Sequence, residues 1–322
     1  MSLNLRLLER LRRSLSGGRS APDGAARFQP GARLADRYVI QRVLGAGANG
    51  QVFLAHDESL ATPVALKALA PALLASESAQ QRLKQEVLAA RTVSHPNVCR
   101  VHDLVELDED LLVSMAYLEG ETLSEHLDRR GLERGDALRI LRQIIAGLTA
   151  IHDQQVVHGD IKASNVMLSG GQAVITDFGL ARPVRPDADG SAFEGTPLYM
   201  APEQISGGPL SPATDVFALG VLIYRMFVGR WPFLDSSPLS TALKRLHSSP
   251  EHTAELEQAA GPALAQLVLR CLHPDPAKRC SLRDLDQELR QTTAAPAAAP
   301  ARRARWVWAG GALGLALVAA GV

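Results

Sequence analysis

Three oxygen-bearing side chains, Asp160, Asn165 and Asp177, have the types and spacing to gather around a hard cation. Asp160 and Asn165 stand five apart in His158-Gly159-Asp160-Ile161-Lys162-Ala163-Ser164-Asn165, which reads as a loop, and Asp177 follows a short strand pair. Two carboxylates and an amide converging on one point suit Mg²⁺, which takes oxygen ligands and shares its shell with substrate phosphates. A free carboxylate and Lys162, two residues beyond Asp160, are left for proton handling and charge. That is the minimum equipment for moving a phosphoryl group. A plain polar loop closed by a turn is the simpler alternative.

The pattern HxDxKxxN followed by Asp177-Phe178-Gly179 resembles the catalytic segments of eukaryotic-like (Hanks-type) bacterial serine/threonine protein kinases. The resemblance implies an α+β, two-lobed protein kinase-like fold: a small β-rich N-terminal lobe with one main helix and a larger, mostly helical C-terminal lobe. It further implies that Asp160 accepts or orients the proton of an attacking hydroxyl and that Lys162 steadies the γ-phosphate of ATP. Asn165 and Asp177 would hold Mg²⁺.

Such a site needs elements to position it. Tyr38 to Leu44 reads as a strand, followed by Gly45-Ala46-Gly47-Ala48-Asn49-Gly50 and a second strand from Gln51 to Ala55. A dinucleotide fold would put a helix after these glycines, whereas strand–glycine loop–strand is the protein-kinase arrangement, a flap whose backbone approaches phosphates. A plain hairpin turn has the same local look. Val64-Ala65-Leu66-Lys67 resembles the family's third-strand lysine motif. Lysine at the end of an apolar strand is costly unless an anion meets it. A helical pattern from Glu77 to about Val93 places Glu86 nineteen residues after Lys67, where the resemblance implies an ion pair with that lysine. Strands follow at about Val98 to Leu107 and Leu111 to Ala116. Met115-Ala116-Tyr117-Leu118 resembles the hinge between lobes, whose backbone holds adenine. Val52, Ala65 and Met167 would sandwich the ring, with Met115 as gatekeeper.

Beyond the hinge the pattern turns helical, over Leu123 to Arg130 and over Asp136 to Gln155 with Asp136 as N-cap. Val166 to Leu168 and Ala173 to Ile175 form a hairpin presenting Asp177. Gly195-Thr196-Pro197-Leu198-Tyr199-Met200-Ala201-Pro202-Glu203 resembles the family's serine/threonine substrate platform. Glu203 is expected to pair with Arg279, and Asp215 to brace the catalytic-loop backbone. One departure stands out: Gly159 occupies the place where many relatives carry the arginine that receives an activation-loop phosphate. Phosphorylation of Ser191 or Thr196, including self-phosphorylation, cannot order the loop through that pairing.

The chain has 322 residues, 46% of them hydrophobic, with Lys+Arg and Asp+Glu balanced at 34 each. Nothing in that balance calls for a nucleic-acid partner. Cys99, Cys271 and Cys280 show no metal-ligand spacing and read as reduced, packed thiols. Residues 1–37 combine a basic amphipathic stretch with a flexible linker, 38–289 form the kinase-like region, and 290–305 are an Ala/Pro/Arg linker. Residues 306–322 are an uncharged run of roughly 25 Å as a helix, short of the ~30 Å hydrocarbon core, behind Arg302, Arg303 and Arg305. The expectation is a cytoplasmic kinase domain anchored to the membrane by this C-terminal helix. Either the protein is tail-anchored or the chain continues beyond Val322. Gly310 and Gly314 form a GxxxG that would suit a homodimer, and a tail packed on the domain is the alternative. Two competing functions remain at this stage: a catalytically silent binding module, and a small-molecule phosphotransferase, which also uses His-Gly-Asp.

Overall fold

The computed structural model describes residues 26–294 apart from 48–49, 75, 108–109, 178–197, 237, 248–249 and 252. Strands β1 (Arg33–Leu34), β2 (Tyr38–Gly47), β3 (Gly50–Asp57), β4 (Thr62–Leu69), β5 (Val101–Leu107) and β6 (Asp110–Ala116) form an antiparallel sheet in the order β1-β2-β3-β4-β6-β5. Alternation along these strands divides two cores. Phe53, Ala55, Val64, Leu66 and Leu112 pack on one face with Tyr38 and Ile40. Ala65, Val113 and Met115 face the other way and join Leu83, Val87 and Ala90 of helix α1 (Glu77–Thr92). Register then fixes which side chains meet. Lys67 lies opposite Val52 and Val113, and Ala65 opposite Met115. Because positions two apart on a strand share a face, Val52, Ala65, Lys67 and Met115 all look toward the helical half of the molecule.

That half contains α2 (Leu123–Arg130), α3 (Arg134–Asp153), α4 (Pro202–Ser206), α5 (Pro212–Val228), α6 (Pro238–His247), α7 (Thr253–Ala260), α8 (Pro262–Cys271) and α9 (Leu282–Ala294). A smaller sheet joins β7 (Glu121–Thr122), just before α2, to the hairpin β8 (Val166–Ser169) and β9 (Gln172–Ile175) between α3 and α4, and it carries the candidate site. The expected two-lobed α+β architecture is what the chain adopts. Ala137, Leu141, Ile144, Ile145, Leu148 and Ile151 recur at helical spacing and bury one face of α3. Its N-cap is Glu133, not Asp136. Asp136 falls in the first turn, where a carboxylate meets the positive helix end and pairs with Arg139 at 3.0 Å. α5 begins at Ser211-Pro212, with proline at a position whose N–H has no helical partner anyway, and is buried almost all round. It forms the axis of the helical half.

The strand expected from Val98 begins at Val101. Residues Asn97 to Cys99 are recruited elsewhere: Ile175 N–H donates to Asn97 C=O at 2.9 Å and Cys99 N–H to Ile175 C=O at 2.8 Å. These bonds fasten the end of β9, and hence Asp177, beneath the large sheet. Among the described residues no helix is long and apolar enough to cross a membrane. The apolar run 306–322 lies outside the described residues, as do Phe178, Gly179, Ser191 and Gly195 to Pro197.

Candidate active site

The loop from His158 to Asn165 joins α3 to β8, and its backbone is held from three sides. Asp215, wholly buried in the first turn of α5, accepts from His158 N–H at 2.8 Å and from Gly159 N–H at 2.7 Å. His152, near the end of α3, places Nε2 2.8 Å from the same carboxylate. The Gln204 amide donates to Gly159 C=O at 2.9 Å, and the Tyr199 hydroxyl accepts from Ala163 N–H at 3.3 Å. Asp215 was legible as a brace. His152, Gln204 and Tyr199 were not, since an isolated His, Gln or Tyr gives no sequence signal of what it will touch. The His158 ring spans the loop, with Nδ1 accepting from Asp160 N–H at 3.2 Å and Nε2–H donating to Thr176 C=O at 3.0 Å. Its tautomer follows from those two bonds.

Gly159 adopts φ +74°. That left-handed conformation costs a side-chain-bearing residue about 1–2 kcal/mol, so glycine here suits the backbone as well as altering the expected regulation. Gly159→Ala is expected to lower stability by about 1–2 kcal/mol, read as a fall in the urea midpoint at unchanged slope. Asp177 is also left-handed, at φ +58°. Aspartate tolerates this region better than most residues, and such backbone outliers gather at functional sites.

Within the loop, Asp160 Oδ2 accepts from Lys162 Nζ at 2.7 Å and from Asn165 Nδ2 at 3.0 Å. Oδ1 carries no hydrogen bond among the described residues, leaving one oxygen of an oriented carboxylate able to accept a proton. Asn165 Nδ2 also donates to Asp160 C=O at 2.9 Å. With its amide nitrogen committed to the loop, Asn165 presents its carbonyl oxygen as a ligand. Asp177 Oδ1 meets Lys67 Nζ at 2.8 Å, and Oδ2 has no partner among the described residues. An amide oxygen and a carboxylate oxygen, both without a donor, make the hard set that Mg²⁺ takes. The residues fit that ion.

In this structure Lys67 meets Asp177, where the sequence led us to expect Glu86. Lys67 is 5% exposed, and the carboxylate it meets among the described residues belongs to Asp177. A buried ammonium needs an anion in contact, and the end of β9 supplies one. Glu86 is half-buried on α1 and is itself engaged.

Above the loop, Gly45 and Gly47 lie on β2 and Gly50 opens β3. Open space surrounds the positions where side chains would begin on Gly45 and Gly47, whereas a Cβ on Gly50, at φ +125°, would lie 1.9 Å from Ala68 C=O. Gly50 is therefore required by its contact with β4, a reason separate from phosphate approach. Val52, Ala65 and Met115 share the inward sheet face, and Met167 is half-buried on β8, paired with Thr122 and Val174. At the hinge, Ala116 N–H donates to Arg100 C=O at 2.9 Å, and Ala116 C=O receives the Cys99 thiol at 3.5 Å. The half-buried Leu118 peptide has no hydrogen bond among the described residues. A backbone N–H and C=O left open at this position suit the edge of a planar heterocycle.

Beside Gln204 at the start of α4, Glu203 forms the expected pair with Arg279, whose Nη1 and Nη2 are each 2.7 Å from a carboxylate oxygen. Thr214 Oγ1 donates to Glu203 at 2.9 Å, and Arg279 also donates to the carbonyls of Ala213, His273 and Pro274. Burial pushes the Glu203 carboxyl up, but the guanidinium and the hydroxyl more than offset it and hold the group below the usual glutamate range.

Residues 38–289 match the family described as Protein kinase domain. The chain is 36% identical over 258 residues to serine/threonine-protein kinase pkn2 of Myxococcus xanthus, covering 76% of this chain and 31% of pkn2. It is 32% identical over 253 residues to serine/threonine-protein kinase PrkC of Bacillus subtilis, covering 77% and 39%. Thus it spans about three-tenths to two-fifths of the length of these two relatives. Among solved structures it is similar to the PknI kinase domain of Mycobacterium tuberculosis, with TM-score 0.67 and 26% identity over 83% of this chain and 99% of that one.

Proposed function

Belonging, as this chain does, to the protein kinase family and to its bacterial Hanks-type serine/threonine branch, it is, we propose, an enzyme that transfers the γ-phosphate of ATP to serine and threonine hydroxyls of proteins. The observation that carries this reading is the division of labour within Asp160: Lys162 and Asn165 hold Oδ2, and Oδ1 is left to accept. In the proposed reaction Asp160 orients the acceptor hydroxyl and takes its proton. Lys162, held 2.7 Å from Asp160, steadies the charge growing on the γ-phosphate. Lys67 exchanges part of its contact with Asp177 for the α- and β-phosphates, under the glycines 45, 47 and 50, and Glu86 is the candidate to support it in that state. Asn165 and Asp177 would hold Mg²⁺, which when bound neutralises charge on the phosphate oxygens. Val52, Ala65, Met115 and Met167 would enclose the adenine, with the Ala116 and Leu118 backbone reading its edge.

Lysine two residues after Asp160, and Tyr199 tying the segment before α4 to the catalytic loop, support a protein hydroxyl over a small-molecule acceptor. Incubating the full chain with γ-labelled ATP, Mg²⁺ and a basic protein should yield phosphoserine and phosphothreonine. Label appearing on small alcohols or aminoglycosides but on no protein would overturn the assignment.

Regulation is proposed from Gly159. With no guanidinium there, a phosphate on Ser191 or Thr196 lacks its usual receiver. Ser191→Ala is expected to keep at least about a third of wild-type turnover, a change under ~1 kcal/mol. Near-total loss traced to a missing phosphate would contradict this. The uncharged run 306–322, preceded by arginines, further suggests a membrane anchor with the catalytic domain on the cytoplasmic side, and Gly310 and Gly314 a means of pairing two copies.

A further inference from the structure

The two thiols of Cys271, at the end of α8, and Cys280, just before α9, lie 3.0 Å apart although they stand nine positions apart in sequence. The intervening segment leaves α8, supplies Arg279 to the Glu203 pair, and returns. Both side chains are buried, but unequally placed. Cys280 lines a cavity of about 830 Å³ between α3, the start of α5 and α9, along with Thr149, His152, Arg283 and Asp286. Cys271 is absent from that lining and is pressed against Gly220 of α5, where even one added methyl would come within 2.7 Å of its Cβ. One residue of the pair therefore borders a space large enough for a small solute, and the other stands behind it.

From this arrangement we propose that Cys280 and Cys271 form a redox-modification site for hydroperoxides, with Cys280 the thiol that attacks the peroxide and Cys271 the resolving thiol. The Cys280 thiolate attacks one oxygen of hydrogen peroxide, the O–O bond breaks, and the departing hydroxide leaves as water with a proton. The sulfenic acid so formed is then attacked by Cys271. An S–S bond forms, the S–O bond breaks, and the hydroxide leaves as a second water with the Cys271 proton. Two thiols are oxidised by two electrons and one peroxide is reduced to two waters. Electrostatics favour this order: the hydrogen bond from Cys271 draws the Cys280 thiol below its ordinary range, while that bond and burial push Cys271 well up. Closing the sulfurs from 3.0 Å to a bond length requires about 1 Å of movement. Among cytosolic proteins, disulfides of this kind are transient and redox-sensing.

Cys99 serves as the internal reference, being buried without a second thiol, its own thiol pushed up to about 12 chiefly by burial. The full chain should be treated with hydrogen peroxide, alkylated, digested with trypsin and analysed by mass spectrometry. Peptide 271–278 should appear joined to peptide 280–283 and separate on reduction, with the Cys280 peptide consumed roughly tenfold faster than that of Cys99. In Cys271→Ser the reaction should stop at a sulfenic acid on Cys280, trapped as a dimedone adduct. Absence of the joined peptides in wild type, or consumption of Cys280 no faster than Cys99, would overturn the proposal. Because the wild-type protein gives this readout, the outcome does not depend on the variant folding.

Discussion

Asp160→Asn is expected to lower turnover by 10²- to 10⁴-fold, about 3 to 5 kcal/mol of barrier, the usual contribution of a positioned general base. The substitution preserves shape and removes only the charge and basicity. Asn165 would still find an oxygen acceptor, but Lys162 would lose its carboxylate partner at 2.7 Å. The KM for ATP should change little, because in the proposed arrangement the nucleotide is held by Lys67, the hinge and the glycine strands. A fall in turnover of less than tenfold, in steady-state assays at saturating ATP, would take Asp160 out of the proton-handling role. The buried Asp215 offers a useful contrast. Its removal would free the His158 and Gly159 amides together and is expected to disturb folding as well as turnover, whereas Asp160→Asn should leave the melting temperature nearly unchanged.

Arg279→Met should produce the largest loss of stability, about 3–5 kcal/mol, because it leaves the Glu203 carboxylate buried without its cation. The side chains of Arg279 and Glu203 are 1% and 12% exposed, so water cannot replace the guanidinium well. Three backbone carbonyls lose their donors as well. The double variant Glu203→Gln with Arg279→Met should recover part of the loss, since paired buried charges are often replaceable together. The pH dependence has a definite sign. Glu203 has a folded pKa below its unfolded value, so its contribution is complete above the ordinary glutamate range near 4.3–4.5 and is lost as pH falls through the folded value. The stability gap between wild type and Arg279→Met should therefore narrow in acid. A gap below about 1 kcal/mol at neutral pH would mean that the pair behaves like a surface ion pair.

Much of this was readable in the chain because the determining signals are local. The loop His158 to Asn165 and the hairpin after it are fixed by polar types, spacing and a Gly170-Gly171 turn. α2 runs over the residues that its pattern indicated, and α3 keeps the expected apolar face despite a different cap. Family resemblance supplied what spacing alone could not, notably Asp215 and the Glu203–Arg279 pair across 76 residues. What escaped was set by tertiary approach. Lys67 met Asp177 and not Glu86, a choice made by how β9 is pinned to Asn97 and Cys99. Tyr199, Gln204 and His152 acquired their roles only when α3, α4 and α5 converged on the same loop. Cys271 and Cys280 looked unrelated because Pro274-Asp275-Pro276 announces a turn but not that it brings the two thiols together. Gly159 was visible as a missing arginine, but its left-handed backbone was not.

The central claim is that Asn165 and Asp177, with Lys67 and Asp160, make a Mg²⁺-dependent phosphoryl-transfer site. The most direct measurement compares ATP turnover and protein phosphorylation by the full chain and by Asp177→Ala, each titrated with Mg²⁺. The account predicts activity that rises with Mg²⁺ in the wild type and is absent from the variant at every Mg²⁺ concentration, with the variant still folded by circular dichroism. Undiminished Mg²⁺-dependent transfer in a folded Asp177→Ala protein, or no transfer in the wild type at any Mg²⁺ concentration, would contradict it.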